Sequence, residues 1–568
     1  MSPESKRAVI AAVRRLVFAG LILLGAWLVL AVTRVAIPAD LIELIAAASG
    51  LSVETMSELV YESDWSISFW TNEPVAELIG LRLPITAQLL VFGGLLSLAI
   101  AALLLFLGVL ISRVTNHPSW LAQVRGVLRL VLVSGGVSTP IFMGGTLFFV
   151  FSALWWGWTP PKTYEGVSWW PVFSVSLLPA WLLVQAGHGE LANWPGKLTS
   201  SYGLLARHLS VRLLTRLLKL VGAILVVSML VEQIFAQPGL GRLFISAVNQ
   251  RDLPVLFGVT WVFVLIVVLV KMVADLIEIA YNHFGKQAAP SEQVGEQAAP
   301  RIRIPRGWLF FSLALVLISI VVAVVGPVFA PYEMNEIHLA DRLAPPSAEH
   351  ILGADNLGRD ILSRLLFGFR TTLSASLLSV GVLFAVATGW AALAAYLRRA
   401  NNWLGDTLED VVMLPRDVIC AFPWLVLLLL WMSIAGPGLL QVALIGSLVL
   451  LPRAVGMMRE AYGSPPAGRG WLYSVLWSIP VMLLLTVAGG ILYTSSLSYF
   501  GFGIPPPTPE LGGMLSGTGR QYMLTAPWMA QWPSICLVLL SLVWVMAGDA
   551  LLERLGFRTK ALWPKTVE

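Results

Sequence analysis

Charge is what this sequence has least of. Asp, Glu, Lys and Arg make up 12% of its 568 residues, against about 25% in ordinary soluble domains. That shortage excludes a soluble globular enzyme. Apolar side chains at 57% exceed what one water-soluble core can hide, and too few charges remain to cover it. Disorder is excluded too, because it needs the opposite balance. Cysteine is nearly absent: Cys420 and Cys536 both sit inside apolar runs, which argues against a disulfide framework or a cysteine metal site. Also missing are a Gly-Lys-Ser/Thr phosphate loop, an H-E-x-x-H helix and a nucleophile elbow, so the chain has no nucleotide or hydrolase signature of its own. The stretch Gly353-Ala-Asp-Asn-Leu-Gly358-Arg-Asp360 lacks the ending of a phosphate loop, and His350 before it reads as a lone histidine in a polar loop.

What is present is a series of apolar runs of about 20 residues, each long enough to cross a hydrocarbon core of about 30 Å. We place spans at roughly 17–37, 86–112, 130–155, 170–186, 217–235, 255–282, 308–330, 371–397, 411–433, 438–458, 473–497 and 533–552. The fold class is therefore an all-α polytopic transmembrane helical protein of about twelve spans. The first run is long enough to remain as a span rather than a cleaved signal.

Charge sorting orients the spans. Lys6, Arg7, Arg14 and Arg15 make the N-terminal tail cytoplasmic. Segment 38–84 holds Asp40, Glu43, Glu54, Glu58, Glu62, Asp64, Glu73 and Glu77 against Arg82 alone, and is expected outside, as is 331–370. Lys197, Arg207, Arg212, Arg216 and Lys219, then Lys286, Arg301, Arg303 and Arg306, mark inner loops. Both termini are expected in the cytoplasm, and the net charge of +5 needs no nucleic-acid partner. Within the spans, only Lys271, Asp275 and Glu278 are ionisable groups of note, at spacings where they can satisfy one another. Proton- and sodium-coupled carriers usually show more, so the energy source is expected outside the chain.

The chain reads as two copies of one module. A stretch rich in Ala, Gln and Pro at 285–306 repeats Gln-Ala-Ala-Pro and divides a first module, 1–284, from a second, 307–568. Arg82-Leu-Pro-Ile-Thr86 opens the second span and Arg370-Thr-Thr372 the eighth. Pro140 interrupts the third span as Pro423 interrupts the ninth, and Ala274-Asp-Leu-Ile-Glu278 closes the first half as Gly548-Asp-Ala-Leu-Leu-Glu553 closes the second. The pairs lie roughly 270–290 residues apart, the mark of an internal repeat. Two parallel six-span modules in a pseudo-two-fold arrangement suit a transport pathway.

Several motifs carry a family resemblance. They are Glu232-Gln-Ile-Phe235-Ala-Gln-Pro238-Gly239-Leu240-Gly241-Arg242 followed by Arg251-Asp252-Leu253-Pro254; Leu352-Gly-Ala-Asp355-Asn-Leu-Gly358-Arg359-Asp360; and Leu497-Ser-Tyr-Phe500-Gly501-Phe-Gly503-Ile-Pro-Pro-Pro507. Together they resemble the permease subunits of ABC importers of the dipeptide/oligopeptide/nickel type, with two permeases fused in one chain. The resemblance implies a non-enzymatic transport subunit in the bacterial inner membrane. It implies two ABC ATPase subunits on the cytoplasmic side, which bind ATP and Mg, and a periplasmic or lipid-anchored substrate-binding protein outside. No cofactor or metal is expected in this chain. Tyr202, Ala206 and Arg207 in the first half, and Arg459 and Glu460 in the second, stand where such permeases meet their ATPases. Both segments depart from the family pattern: the first lacks the expected Ala-Lys-Gly, and the second is short and carries Pro465 and Pro466. The first is still expected to form a short helix. Glu232, Pro238, Gly239, Gly241, Arg242, Phe500, Gly501 and Gly503 are candidates for an external gate or turn. Glu232 and Arg242 either line that gate or pair with each other. A twelve-span secondary carrier and a non-transporting scaffold derived from a permease are rival readings.

Overall fold

The computed structural model describes residues 3–35, 37–49, 52–61, 65–114, 172–177, 179–180, 182–183, 202–284, 306–398, 403–463, 471–516, 518–522 and 525–555. Among them the chain is helical, with β structure limited to two isolated bridges, Ile67 with Pro74 and Ala354 with Asp360. The described residues fall into two compact units. One draws on Met1–Gln123, Pro160–Ile302 and Asp417–Leu427, the other on Arg303–Arg416 and Leu428–Glu568.

In the first unit the helices are α1 (Pro3–Val35), α2 (Ala39–Ser49), α3 (Val53–Tyr61), α4 (Val75–Val114), α5 (Tyr202–Lys219), α6 (Val221–Ile234), α7 (Leu240–Gln250) and α8 (Leu253–Phe284). Along α1, Leu24, Trp27 and Val32 are more than half exposed, as suits side chains that face lipid. The α5–α6 pair bends by 59° at Leu220. On the α5 side of that bend Lys219 meets Asp275 at 3.1 Å and Glu278 at 2.6 Å, both on α8. Arg212 reaches Glu278 at 2.9 Å and Arg15 reaches Asp275 at 3.6 Å. The acids of the sixth span are therefore neutralised by bases from α5 and α1. The expected pairing with Lys271 is replaced by these, and the Lys271 ammonium donates to the Cys420 carbonyl at 3.1 Å.

Segment 65–74 ties the end of α1 to the start of α8. The Arg34 guanidinium lies 4.4 Å over the Trp65 ring, and that ring packs edge-on against Phe257 at 4.8 Å. Ser68 donates to the buried Asp252 carboxylate, and so does the Phe69 amide at 3.3 Å. Burial pushes the Asp252 carboxyl above its ordinary value, and these hydrogen bonds pull the other way.

The second unit holds α9 (Arg306–Val325), α10 (Ile361–Arg398), α13 (Leu439–Gly463), α14 (Trp471–Tyr499), α15 (Leu511–Leu515) and α16 (Trp528–Leu555), together with α11 (Trp403–Ala421) as far as Arg416 and α12 (Trp424–Ala435) from Leu428 onward. Its core gathers Ala387, Ala391, Ala394 and Ala395 of α10 with Ala454, Met458 and Tyr462 of α13; small side chains let the two helices approach closely. The α11–α12 pair bends by 82° where Phe422 and Pro423 interrupt the run, because proline removes a backbone donor and clashes with the preceding turn. Before α10, His350 is buried rather than solitary. Its Nδ1 lies 3.0 Å from Asp360, its Nε2 lies 3.6 Å from Asp341, and the Tyr332 ring covers it at 5.1 Å.

Eight described helices are long and apolar enough to cross a membrane, or ten if each bent pair counts as one span. The chain is thus an all-α polytopic membrane protein. Expected spans two and eight begin earlier than their apolar runs, at Val75 and Ile361. Of the twelve expected, the span at 130–155 and the linker 285–305 lie outside the described residues, as does part of 170–186.

Candidate functional site

Each half contains a turn followed by a short helix, and both turns share one backbone register. α6 ends at Phe235, whose amide donates to Val231 O at 2.9 Å; Ala236 then takes φ 54°, and the Gln237 amide returns to Glu232 O at 2.8 Å. In the second half the Phe500 amide donates to Ser496 O at 3.2 Å, Gly501 takes φ 86°, and the Phe502 amide returns to Leu497 O at 3.0 Å. This is the left-handed termination that captures the last carbonyls of a helix. The register superimposes Phe235 on Phe500, Ala236 on Gly501 and Glu232 on Leu497.

Beyond each turn the chain enters the short helix through the same dipeptide, Leu240-Gly241 in α7 and Leu511-Gly512 in α15. In the first half the Leu240 amide donates to Thr86 Oγ1 at 2.8 Å, and the Thr86 hydroxyl donates to Glu232 Oε1 at 2.7 Å. Glu232 Oε2 accepts the Gly241 and Arg242 amides at 2.6 and 3.2 Å. In the second half the Leu511 amide donates to Thr372 Oγ1 at 3.2 Å, and the Thr372 hydroxyl to Glu510 Oε1 at 2.8 Å. Ser495 donates to the same oxygen at 2.9 Å, and the Gly513 amide to Glu510 Oε2 at 2.8 Å. Thr86, Glu232, Thr372 and Glu510 are all buried, at 0, 0, 0 and 1% exposure.

Each carboxylate therefore satisfies orphan amides at the start of a helix, where the backbone dipole favours negative charge. Each threonine joins that start to a long helix, α4 or α10. A buried hydrogen bond to a charged group contributes about 1.5–3 kcal/mol, and an abandoned buried polar group costs a comparable amount. The two staples thus fix where each short helix begins.

Glu232 and Arg242 meet through the Arg242 amide, while the Arg242 guanidinium turns back to the Ala236 carbonyl at 2.5 Å. Side-chain pairing of these two residues is accordingly replaced by capping. Pro238 and Gly239 lead into α7. Gly239 has ordinary extended backbone, and its glycine is explained by space: a Cβ there would fall 2.3 Å from Glu232 Cδ. Gly241 passes close over Met229, and Gly503 over Ser498. Phe500 packs edge-on against Tyr499 at 5.4 Å.

Tyr202, Ala206 and Arg207 lie in the first turns of α5, so a helix does form there. Arg459 and Glu460 belong to the last turns of α13 rather than to a loop, and Arg459 forms an ion pair with the buried Glu409 of α11. The neighbouring Pro465 and Pro466 lie outside the described residues. Among the described residues, no cluster of three His, Cys, Asp or Glu side chains is placed to hold a metal ion.

Sequence reasoning named Glu232 but missed Thr86, Thr372 and Glu510 as site residues. The signal was available: both threonines open the paired motifs of the two halves, and Glu510 directly precedes the second Leu-Gly.

Residues 200–282 match the family described as binding-protein-dependent transport system inner membrane component. The chain is 28% identical over 294 residues to a dipeptide transport system permease protein of Haemophilus influenzae, covering 46% of this chain and 97% of that protein. It is 31% identical to a glutathione transport system permease protein of Pectobacterium atrosepticum, covering 43% and 85%. It is 30% identical to a di/tripeptide transport system permease protein of Pseudomonas aeruginosa, covering 44% and 88%. Nearly a whole permease thus corresponds to less than half of this chain, consistent with two permeases fused in one.

Proposed function

We propose that this chain, which belongs to the family of binding-protein-dependent inner-membrane transport permeases, forms the membrane pathway of an ATP-driven importer for short peptides or related small solutes such as glutathione. The observation that carries the reading is its correspondence, over most of their length, to permeases of dipeptide, di/tripeptide and glutathione systems. The residues 1–284 and 307–568 each supply one permease module, joined by the linker 285–306. Both termini and the linker face the cytoplasm, and the two stapled turns face the substrate-binding protein. Two ATPase subunits bind ATP and Mg and dock on the cytoplasmic face, with the N-terminal turns of α5, at Tyr202, Ala206 and Arg207, as the first-half contact. Near Arg459 and Glu460 the contact is reduced, because Arg459 is already committed to Glu409.

The carrier alternative is disfavoured by the ion pairs at Asp275 and Glu278, which leave these acids neutralised rather than poised to bind a coupling proton. Purification of the chain from its native membrane, followed by reconstitution, tests the reading. Co-purifying ATPases and ATP-dependent uptake of dipeptide or glutathione, stimulated by a binding protein, are expected. Uptake driven by an ion gradient without any ATPase would overturn it.

A further inference from the structure

The staples in the two halves draw on carboxylates from different places. In the register of the turns, Glu232 corresponds to Leu497, which is buried at 1% exposure; in the register of the two Leu-Gly helix entrances, six residues out of step with the first, Glu510 corresponds to Gly239. One half has Glu before the turn and Gly at the helix entrance; the other has Leu before the turn and Glu at the entrance. The space is conserved even though the donor position is not. A Cβ built on Gly239 points into the Glu232 carboxyl group, 2.3 Å from Cδ and 2.4 and 2.5 Å from its oxygens. A side chain from position 239 would therefore enter the volume that the Glu232 carboxylate fills, just as Glu510 reaches the matching place from the N-cap of α15. In each half that carboxylate accepts from a threonine hydroxyl of the long helix, Thr86 or Thr372, and from helix-start amides.

We infer that Glu232 and Glu510 are one positioning residue supplied from two alternative sequence positions, and that a carboxylate delivered from either position pins the short helix to the long span. The pinned helix is a fixed element of the transport pathway; this last step rests on the proposed importer function, while the interchange of positions rests on the geometry alone.

The test transplants each half's solution into the other, in the full chain. Glu232→Leu alone should speed amide exchange at Leu240–Arg242 by about ten- to hundred-fold, the loss expected of a buried charged hydrogen bond. Adding Gly239→Glu should return those amides to wild-type protection. In the second half, Glu510→Gly should expose Leu511–Gly513, and adding Leu497→Glu should restore them. Should Glu232→Leu fail to survive purification, Thr86→Val provides the broken staple for reference. In proteoliposomes with the partner ATPases and binding protein, uptake of radiolabelled glutathione and dipeptide should fall at least about tenfold in each single variant and recover in each double variant. Double variants that do not fold, or that exchange as fast as the broken staple, overturn the interchange. If exchange is rescued but uptake is not, the pathway role falls and the interchange stands. A wild-type chain without ATP-dependent uptake defeats the importer reading instead, and the exchange measurement still decides the rest.

Discussion

The first half closes its turn with a carboxylate from the helix it leaves, Glu232 of α6, and the second with one from the helix it enters, Glu510 at the start of α15. Three features around the carboxylate recur in both: a threonine on a long helix, a Leu-Gly entrance and a left-handed residue that ends the preceding helix. The two halves thus share a spatial requirement, a buried carboxyl group beside a helix start, that is met from different sequence positions. A second contrast lies at the bend of the fifth span. Lys219 is held by Asp275 and Glu278, whereas the turn register carries Lys219 onto Leu484, which is 6% exposed and lies over Gly548 beside Leu485. The ion pairs of the first half have as their counterpart an apolar contact from within the continuous helix α14.

The largest effect is expected where the first half has no room. Gly239→Ala should destabilise the chain by about 3 kcal/mol, the upper range of overpacking, because its methyl meets a buried carboxylate. The corresponding position of the second half already carries Glu510, and Glu510→Ala should cost about 1.5–3 kcal/mol as a lost charged cap. Thermal unfolding in detergent measures both, and a benign Gly239→Ala would break the proposed equivalence.

Lys219→Leu gives the first half the apolar side chain that the second carries at this position. Removing one partner of a buried ion pair costs about 3–5 kcal/mol; here about 2 kcal/mol is expected, because Arg15 and Arg212 remain on the same acids. The variant should also unfold with a weaker salt dependence than wild type.

The two threonines should behave alike. Thr86→Val and Thr372→Val each abandon a helix-start amide and a carboxylate oxygen, for a loss of about 1–3 kcal/mol. Ser495→Ala should cost less, because Glu510 keeps Thr372 and Gly513.

The smallest effect is a pH slope confined to the first half. Asp252 is raised by burial, so the folded state holds its proton more tightly than the unfolded chain does. Its contribution is full below the ordinary aspartate range and is lost as pH rises through the raised value. Melting temperature should therefore fall modestly across that window, and Asp252→Asn should make the fall shallower.

Much of this was legible in the sequence. Apolar runs fix helical spans because an unpaired backbone cannot lie in lipid, and the Phe422-Pro423 break was visible as a proline within such a run. The repeat was legible through Thr86 and Thr372, and through Asp275 and Asp549. What eluded the sequence was partnership. Asp275 and Glu278 have Lys271 as their nearest base along the helix, yet the bend at Leu220 brings Lys219 and Arg212 onto them instead. His350 looked solitary because Asp341 and Asp360 approach it only once the preceding loop folds. Glu510 was hidden by its different sequence position: a search for a counterpart to Glu232 at the aligned position finds Leu497.

Amide exchange at the two helix entrances, measured side by side in one detergent-solubilised chain, tests most directly whether each half has its own staple. Leu240 and Leu511 should both be protected in wild type; Thr86→Val should expose Leu240–Arg242 while Leu511–Gly513 stays protected, and Thr372→Val should do the reverse. Protection at Leu240 that survives Thr86→Val, or loss at both entrances from either substitution, would contradict two independent, equivalent staples.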